Sequence, residues 1–270
     1  MNILERNNVK IIGNGEQTIV FAHGLGCDQQ MWDHLAKALE AQYRLALFDH
    51  VGSGRSLLAA YDSNKYSTLQ GYASDLIEVI EAVQCKQVIY VGHSVSSMIG
   101  LLAAIEKPKL FEKIVMIGPS PCYLNDGDYQ GGFEESDILE LLDMMEMNFT
   151  GWASYMAPLV IDYSEQPNLK AELEEVFASA NPRVAREFAE VTFFSDYRHK
   201  LHELKTSTLI LQCSDDSIVP IEVGRYLHNQ LPNSELVIMG AKGHYPHMSQ
   251  PKETLQVIEA FLDKVLMKHE

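Results

Sequence analysis

The stretch V-I-Y-V-G-H-S-V-S-S-M-I-G, residues 88–100, decides how this chain is read. Residues 88–91 are a short apolar run suited to a buried strand, and residues 98–105 continue in an apolar helical pattern. Ser94 stands at the join. A sharp strand-to-helix turn there holds a serine in a strained backbone conformation, with Oγ above the carboxyl ends of the strands. The pattern for such a nucleophile turn is G-x-S-x-G, whereas this chain reads Gly92-His93-Ser94-Val95-Ser96. The closing glycine is absent, and serine is the next smallest useful residue. Serines at such joins also serve as simple helix caps, so Ser94 needs partners before it is read as a nucleophile.

Outward from this stretch, short continuous apolar runs at 18–22, 45–48, 114–117, 208–211 and 236–238 alternate with helical patterns such as 69–83 and 251–266. Continuous rather than alternating runs predict strands covered on both faces, and strand-helix alternation predicts a doubly wound, mostly parallel α/β sheet. Residues 3–5 and 9–12 read as an antiparallel hairpin at one edge. The rhythm breaks between 119 and 195, where four helix-like pieces (134–148, 152–161, 168–179 and 183–194) are punctuated by Gly131-Gly132, Gly151, Pro167 and Pro182. This span is expected to be a helical cap inserted into a core made of 1–118 and 196–270, within one domain. A length of 270 residues suits a single large core with such an insertion.

The net charge of −16 disfavours nucleic acid and anionic membrane surfaces as partners. The first residues lack the layout of a signal peptide and no apolar run reaches membrane-spanning length, so a cytoplasmic protein is expected. Cys27, Cys85, Cys122 and Cys213 lack metal-ligand or disulfide spacing and are expected to be small buried residues. No cofactor or metal is required.

A nucleophilic serine needs a base. His244, in G-A-K-G-H-Y-P-H at 240–247, follows the last strand and is preferred to His247, which sits just ahead of the final helix. The imidazole in turn needs a carboxylate, and Asp216 is preferred to Asp215, which suits a turn. The order Ser94, Asp216, His244 is that of an α/β-hydrolase sheet. His23-Gly24-Leu25-Gly26 follows a strand and suits an oxyanion hole, with the backbone N–H groups of Leu25 and Val95 as its expected donors. Gly52-Ser53-Gly54-Arg55-Ser56 lacks the ending of a phosphate loop and is expected to be a structural turn.

The chain resembles the α/β-hydrolase family that contains the bacterial stress-response regulator RsbQ and the plant karrikin and strigolactone receptor hydrolases. The resemblance is carried by H-G-L-G-C-D-Q at 23–29, L-F-D-H-V-G-S-G-R-S at 47–56, Y-V-G-H-S-V-S-S-M-I-G at 90–100 and G-P-S-P-C-Y-L-N-D at 118–126. G-G-F-E at 131–134, F-F-S-D at 193–196, L-Q-C-S-D-D at 211–216 and G-H-Y-P-H-M-S at 243–249 complete it. It implies a Ser-His-Asp triad under a four-helix cap and a mostly apolar pocket at Leu25, Phe133, Trp152, Met156, Phe177 and Phe193. Leu25 and Met156 stand where relatives often carry larger aromatics. Ordinary packing explains part of this set, since apolar residues at helical spacing are usually core.

The function expected is hydrolysis of a small hydrophobic ester or lactone in signalling. By resemblance, the partner is a sensor-domain phosphatase that activates a stress-response sigma factor, with the chain close to RsbQ. The alternatives are a ligand receptor in which turnover is slow or dispensable, and a metabolic esterase or carbon–carbon bond hydrolase with no protein partner.

Overall fold

Residues 88–91 are apolar on both sides because their strand lies at the centre of a sheet with helices over both faces. In the computed structural model, which describes residues 1–164 and 166–264, the strands are β1 (Lys10–Ile12), β2 (Thr18–Ala22), β3 (Arg44–Phe48), β4 (Val88–His93), β5 (Phe111–Ile117), β6 (Ser207–Asp215) and β7 (Ser234–Lys242). They form one sheet in the order β1-β3-β2-β4-β5-β6-β7, parallel except for β1. Every residue of β2 and β4 is buried, as continuous apolar strands require. The helices are α1 (Ile3–Arg6), α2 (Asp33–Leu39), α3 (Leu69–Val83), α4 (Val95–Glu106), α5 (Glu135–Met147), α6 (Phe149–Val160), α7 (Asn168–Ser179), α8 (Pro182–Phe193), α9 (Ile221–Gln230), α10 (Pro246–Ser249) and α11 (Pro251–Leu262). α3 packs against α4, while α2 touches α10 and α11.

This is an α/β-hydrolase arrangement, and it places the carboxyl ends of β4, β6 and β7 on one side. α5 to α8 lie between β5 and β6 in sequence. Asn148 starts α6 at Phe149 rather than at 152, because its side chain accepts the Gly151 N–H at 3.0 Å.

Three expectations are corrected. Residues 3–5 are not a strand but part of α1, because the Asn2 side chain caps the turn by accepting the Leu4 N–H at 3.1 Å. The antiparallel edge strand is β1, and its partner is β3, with Lys10 opposite Leu47. The last strand, expected at 236–238 and followed by 240–247, instead runs on through 240–242, because Lys242 still pairs with Asp215 beyond an irregularity after Cys213. The last helix ends at Leu262, and residue 266, where it was expected to end, lies outside the described residues.

Candidate active site

Ser94 has φ 55° and ψ −123°, a conformation that L-residues rarely adopt and that costs about 1–3 kcal/mol. The surroundings hold it there: its N–H donates to the Ile117 carbonyl at 2.8 Å and its own carbonyl accepts the Ser97 N–H at 2.9 Å. Gly92 is required by the close return of the helix, since a Cβ there would lie 2.8 Å from the Ser96 carbonyl oxygen. Ser96 does more than spare space. Fully buried, it donates from Oγ to the His23 carbonyl at 2.5 Å and lies 2.8 Å from His50 Nε2, while its carbonyl accepts the Tyr90 hydroxyl at 2.7 Å. The missing glycine is thus replaced by a hydroxyl that ties α4 to the end of β2.

His244 follows β7, with its N–H donating to the Val160 carbonyl at the end of α6, 2.6 Å away. Its Nε2 is 2.8 Å from Ser94 Oγ and its Nδ1 is 2.8 Å from Asp216 Oδ2. An ionised carboxylate only accepts, so Nδ1 carries the proton and Nε2 is left to accept from the serine hydroxyl. Asp216 is fixed in turn: its Oδ1 accepts the N–H groups of Ile218 at 2.8 Å and Val219 at 3.1 Å. The His244 and Asp216 side chains are 4% and 1% exposed, so water competes little for this chain of bonds. Gly118 lets the imidazole sit close, because a Cβ there would lie 2.9 Å from His244 Cε1.

The alternative residues lie elsewhere. Asp215 is exposed at the end of β6, and its carbonyl accepts the Gly243 N–H at 2.7 Å. His247 is wholly buried and stacked on Trp32 at 4.5 Å, with no hydrogen-bond partner for either ring nitrogen among the described residues. Burial pushes its pKa down to about 3.

Val95 opens α4, and no acceptor among the described residues takes its N–H or that of Leu25. Both groups are available to a ligand, Val95 as one of the first N–H groups of a helix and Leu25 from the turn after β2. A narrow cavity of about 40 Å³ lies over Ser94 and His244. Of the pocket residues expected from sequence, Leu25, Trp152, Met156, Phe177 and Phe193 line it. Phe133 does not. Its N–H and carbonyl are tied to Tyr123 and Asn125, and its ring meets Phe193 edge-on at 5.6 Å from the side of a separate outer recess.

Sequence reasoning missed Tyr123, whose hydroxyl is 3.3 Å from Ser94 Oγ and whose burial pushes its pKa well above the usual phenol range. Its place in the distinctive 118–126 segment was the available signal. Tyr245 was missed as well, although it adjoins His244 and lines the same cavity. The glycine-rich turn at 52–56 is built around Asp49, which accepts the N–H groups of Gln29 and Arg55 at 2.9 Å each. Among the described residues, no group of three or more His, Cys, Asp or Glu side chains could hold a metal ion, and no helix is long and apolar enough to cross a membrane.

Residues 19–257 match the Alpha/beta hydrolase family. The chain belongs to that family. As an α/β-hydrolase it is 42% identical to the karrikin insensitive 2 receptor CA of Petunia hybrida, over 94% of each chain. It is 35% identical to a strigolactone esterase of Arabidopsis thaliana, over 97% of this chain and 98% of that one. A solved hydrolase from Oleispira antarctica is 42% identical and superposes with a TM-score of 0.94, covering 98% of this chain and 97% of its own.

Proposed function

We propose that the chain is a serine hydrolase of small, apolar esters or lactones, with Ser94 as nucleophile, His244 as general base and Asp216 as the carboxylate that orients it. The observation that carries this is the Ser94 Oγ to His244 Nε2 contact of 2.8 Å on a strained turn. As Oγ bonds to the carbonyl carbon, its proton passes to His244 Nε2, and Asp216 stabilises the resulting imidazolium. The oxyanion takes hydrogen bonds from the N–H groups of Leu25 and Val95. His244 then gives its proton to the leaving alkoxide, and a water activated by the same imidazole releases the acid.

Residues 119–195 act as a cap on a core of 1–118 and 196–270, and the mostly apolar lining favours a hydrophobic ligand. A fluorophosphonate probe should label wild type but not Ser94→Ala, read by intact-protein mass spectrometry. Ser94→Ala should also lower ester turnover by about 10⁴-fold or more. Equal labelling of the variant would place the nucleophile elsewhere.

The receptor reading is favoured by one specific observation. A cavity of about 40 Å³ has room for only about three water-sized groups, so a larger ligand must displace the cap, and cap position can then report binding. Relatives named as a karrikin receptor and a strigolactone esterase support a signalling role for the same site. The stress-response arm, with a sensor-domain phosphatase as partner, rests on the resemblance to RsbQ. Ligand-dependent association of the Ser94→Ala protein with such a phosphatase would separate sensing from turnover, and no association with or without ligand would remove that partner.

A further inference from the structure

We infer that the site is divided into a short, blind acyl subsite and an open, apolar leaving-group subsite, so that the preferred substrates are short-chain acyl esters of large hydrophobic alcohols. This rests on the hydrolase reading and specifies its substrate class. The inner cavity holds about 40 Å³, whereas a recess between α5, α6 and the segment at 132–133 holds about 490 Å³. Leu141, Met156, Phe193 and Ile218 line both and form the partition between them.

The two ends of the inner cavity differ in chemistry, and that sets the direction of the substrate. The departing oxygen must receive its proton from His244 Nε2, so the alcohol lies on the imidazole side. Ile218 marks that side, because its N–H is bonded to the Asp216 carboxylate that holds His244. Leu25, with its free N–H, and the Trp152–Phe177 stack at 5.2 Å also line the inner cavity, and the acyl group is assigned to them. Phe177 presses on the turn itself, for a Cβ at Gly26 would lie 2.9 Å from its ring. An acyl chain therefore runs toward a wall that backbone packing holds in place.

The alcohol instead passes Ile218 and enters the recess as the partition at Met156 and Phe193 is displaced with the cap. There it meets Phe133, Met144 and the half-exposed Tyr155 and Leu159, with Asp137 and Glu140 beside them. Apolar walls with only acidic charge favour neutral or cationic alcohols and disfavour anionic ones.

Two ester series test the division. With p-nitrophenol as the fixed leaving group, kcat/KM should fall about tenfold or more from acetate to hexanoate, the cost of overpacking a rigid end. With acetate as the fixed acyl group and primary alcohols of matched acidity, kcat/KM should rise by up to about threefold per methylene as apolar area is buried. Phe177→Ala should restore hexanoate turnover relative to acetate, with Phe177→Leu as the milder variant if the first does not fold. Met156→Trp should penalise large alcohols selectively.

Equal tolerance in both series, or a preference for long acyl chains with small alcohols, would overturn the proposal. If no ester turns over, methanesulfonyl and hexanesulfonyl fluoride labelling of Ser94 still reads the acyl end, with the shorter reagent expected to react about tenfold faster or more. Equal rates would overturn the subsite, while absence of both labelling and turnover would overturn the hydrolase reading beneath it.

Discussion

The two sides of the site are built differently. The floor, at the carboxyl ends of β4, β6 and β7, is held by directed bonds: Ser94 N–H to Ile117, Ser96 to His23, and Asp216 to two backbone N–H groups and His244. The roof, α5 to α8, meets the cavity through rings and aliphatic chains, such as the Trp152–Phe177 stack and the edge-on Tyr123–Phe193 pair at 5.1 Å. Its polar ties to the rest include the Val160 carbonyl accepting the His244 N–H at 2.6 Å, Glu187 with Tyr61 and Ser63, and Ser217 Oγ donating to the Leu159 carbonyl at 2.7 Å, and none of them comes from a side chain that lines the cavity on the roof. Directed bonds fix atoms within tenths of an ångström, while apolar packing tolerates exchange of similar volumes. Chemistry is therefore expected to belong to the floor and selectivity to the roof.

The largest effect should come from the floor. Asp216→Asn is expected to lower kcat by about 10⁴-fold for every substrate alike, because an amide favours the wrong imidazole tautomer. Asp215→Asn, whose side chain is exposed, should change kcat by less than about threefold. Steady-state kinetics on three esters of different shape would check both. A loss confined to one ester would break the division of labour between floor and roof.

A subtler floor substitution sharpens the point. Gly118 has φ +57° and faces His244 closely, so Gly118→Ala must both strain the backbone and displace the imidazole. A displacement of about 1 Å is worth about 10²-fold in rate. The expected result is a kcat loss of that order with unchanged ranking of substrates, whereas Met156→Trp in the roof should reorder substrates while the serine still labels.

The same contrast explains what the sequence disclosed. Ser94, Asp216 and His244 each follow an apolar strand run, so their positions at strand ends could be read from periodicity and chain order. The helix at 69–83 was legible because its pattern is long and ends where Gln84 turns left-handed at φ 57°. Residues 3–5 were misread because a single capping bond from Asn2 decides between turn and strand in so short a run. Ser96 looked like a defect because a motif records residue size and not the carbonyl of His23 waiting at 2.5 Å. Phe133 lines the outer recess and not the inner cavity, because contacts of a cap aromatic depend on tertiary packing, which local spacing does not encode.

The smallest predicted effect concerns pH and again separates the two regions. His23, His50, His93 and His247 are all buried in the floor, and burial lowers the pKa of each. α5 to α8 contain no histidine. An unfolded histidine binds its proton near the ordinary 6.5, but His247 in the folded chain does so only near 3. Between those values the unfolded state holds the extra proton. The stability contributed by neutral His247 is thus complete above pH 6.5 and declines as the pH falls toward 3. The expected slope is about 1.4 kcal/mol per pH unit for this residue alone. Since His247 stacks on Trp32 and gives up no hydrogen bond, His247→Phe should carry a roughly constant packing cost of about 1–3 kcal/mol at every pH. It should also flatten the decline by that slope between about pH 6 and about pH 4. Urea melts across this range would measure it. Hydrogen exchange should place the acid-induced loss of protection in the strands beneath Ser94 before α5 to α8, and the opposite order would show that the roof, not the floor, carries the acid-sensitive stability.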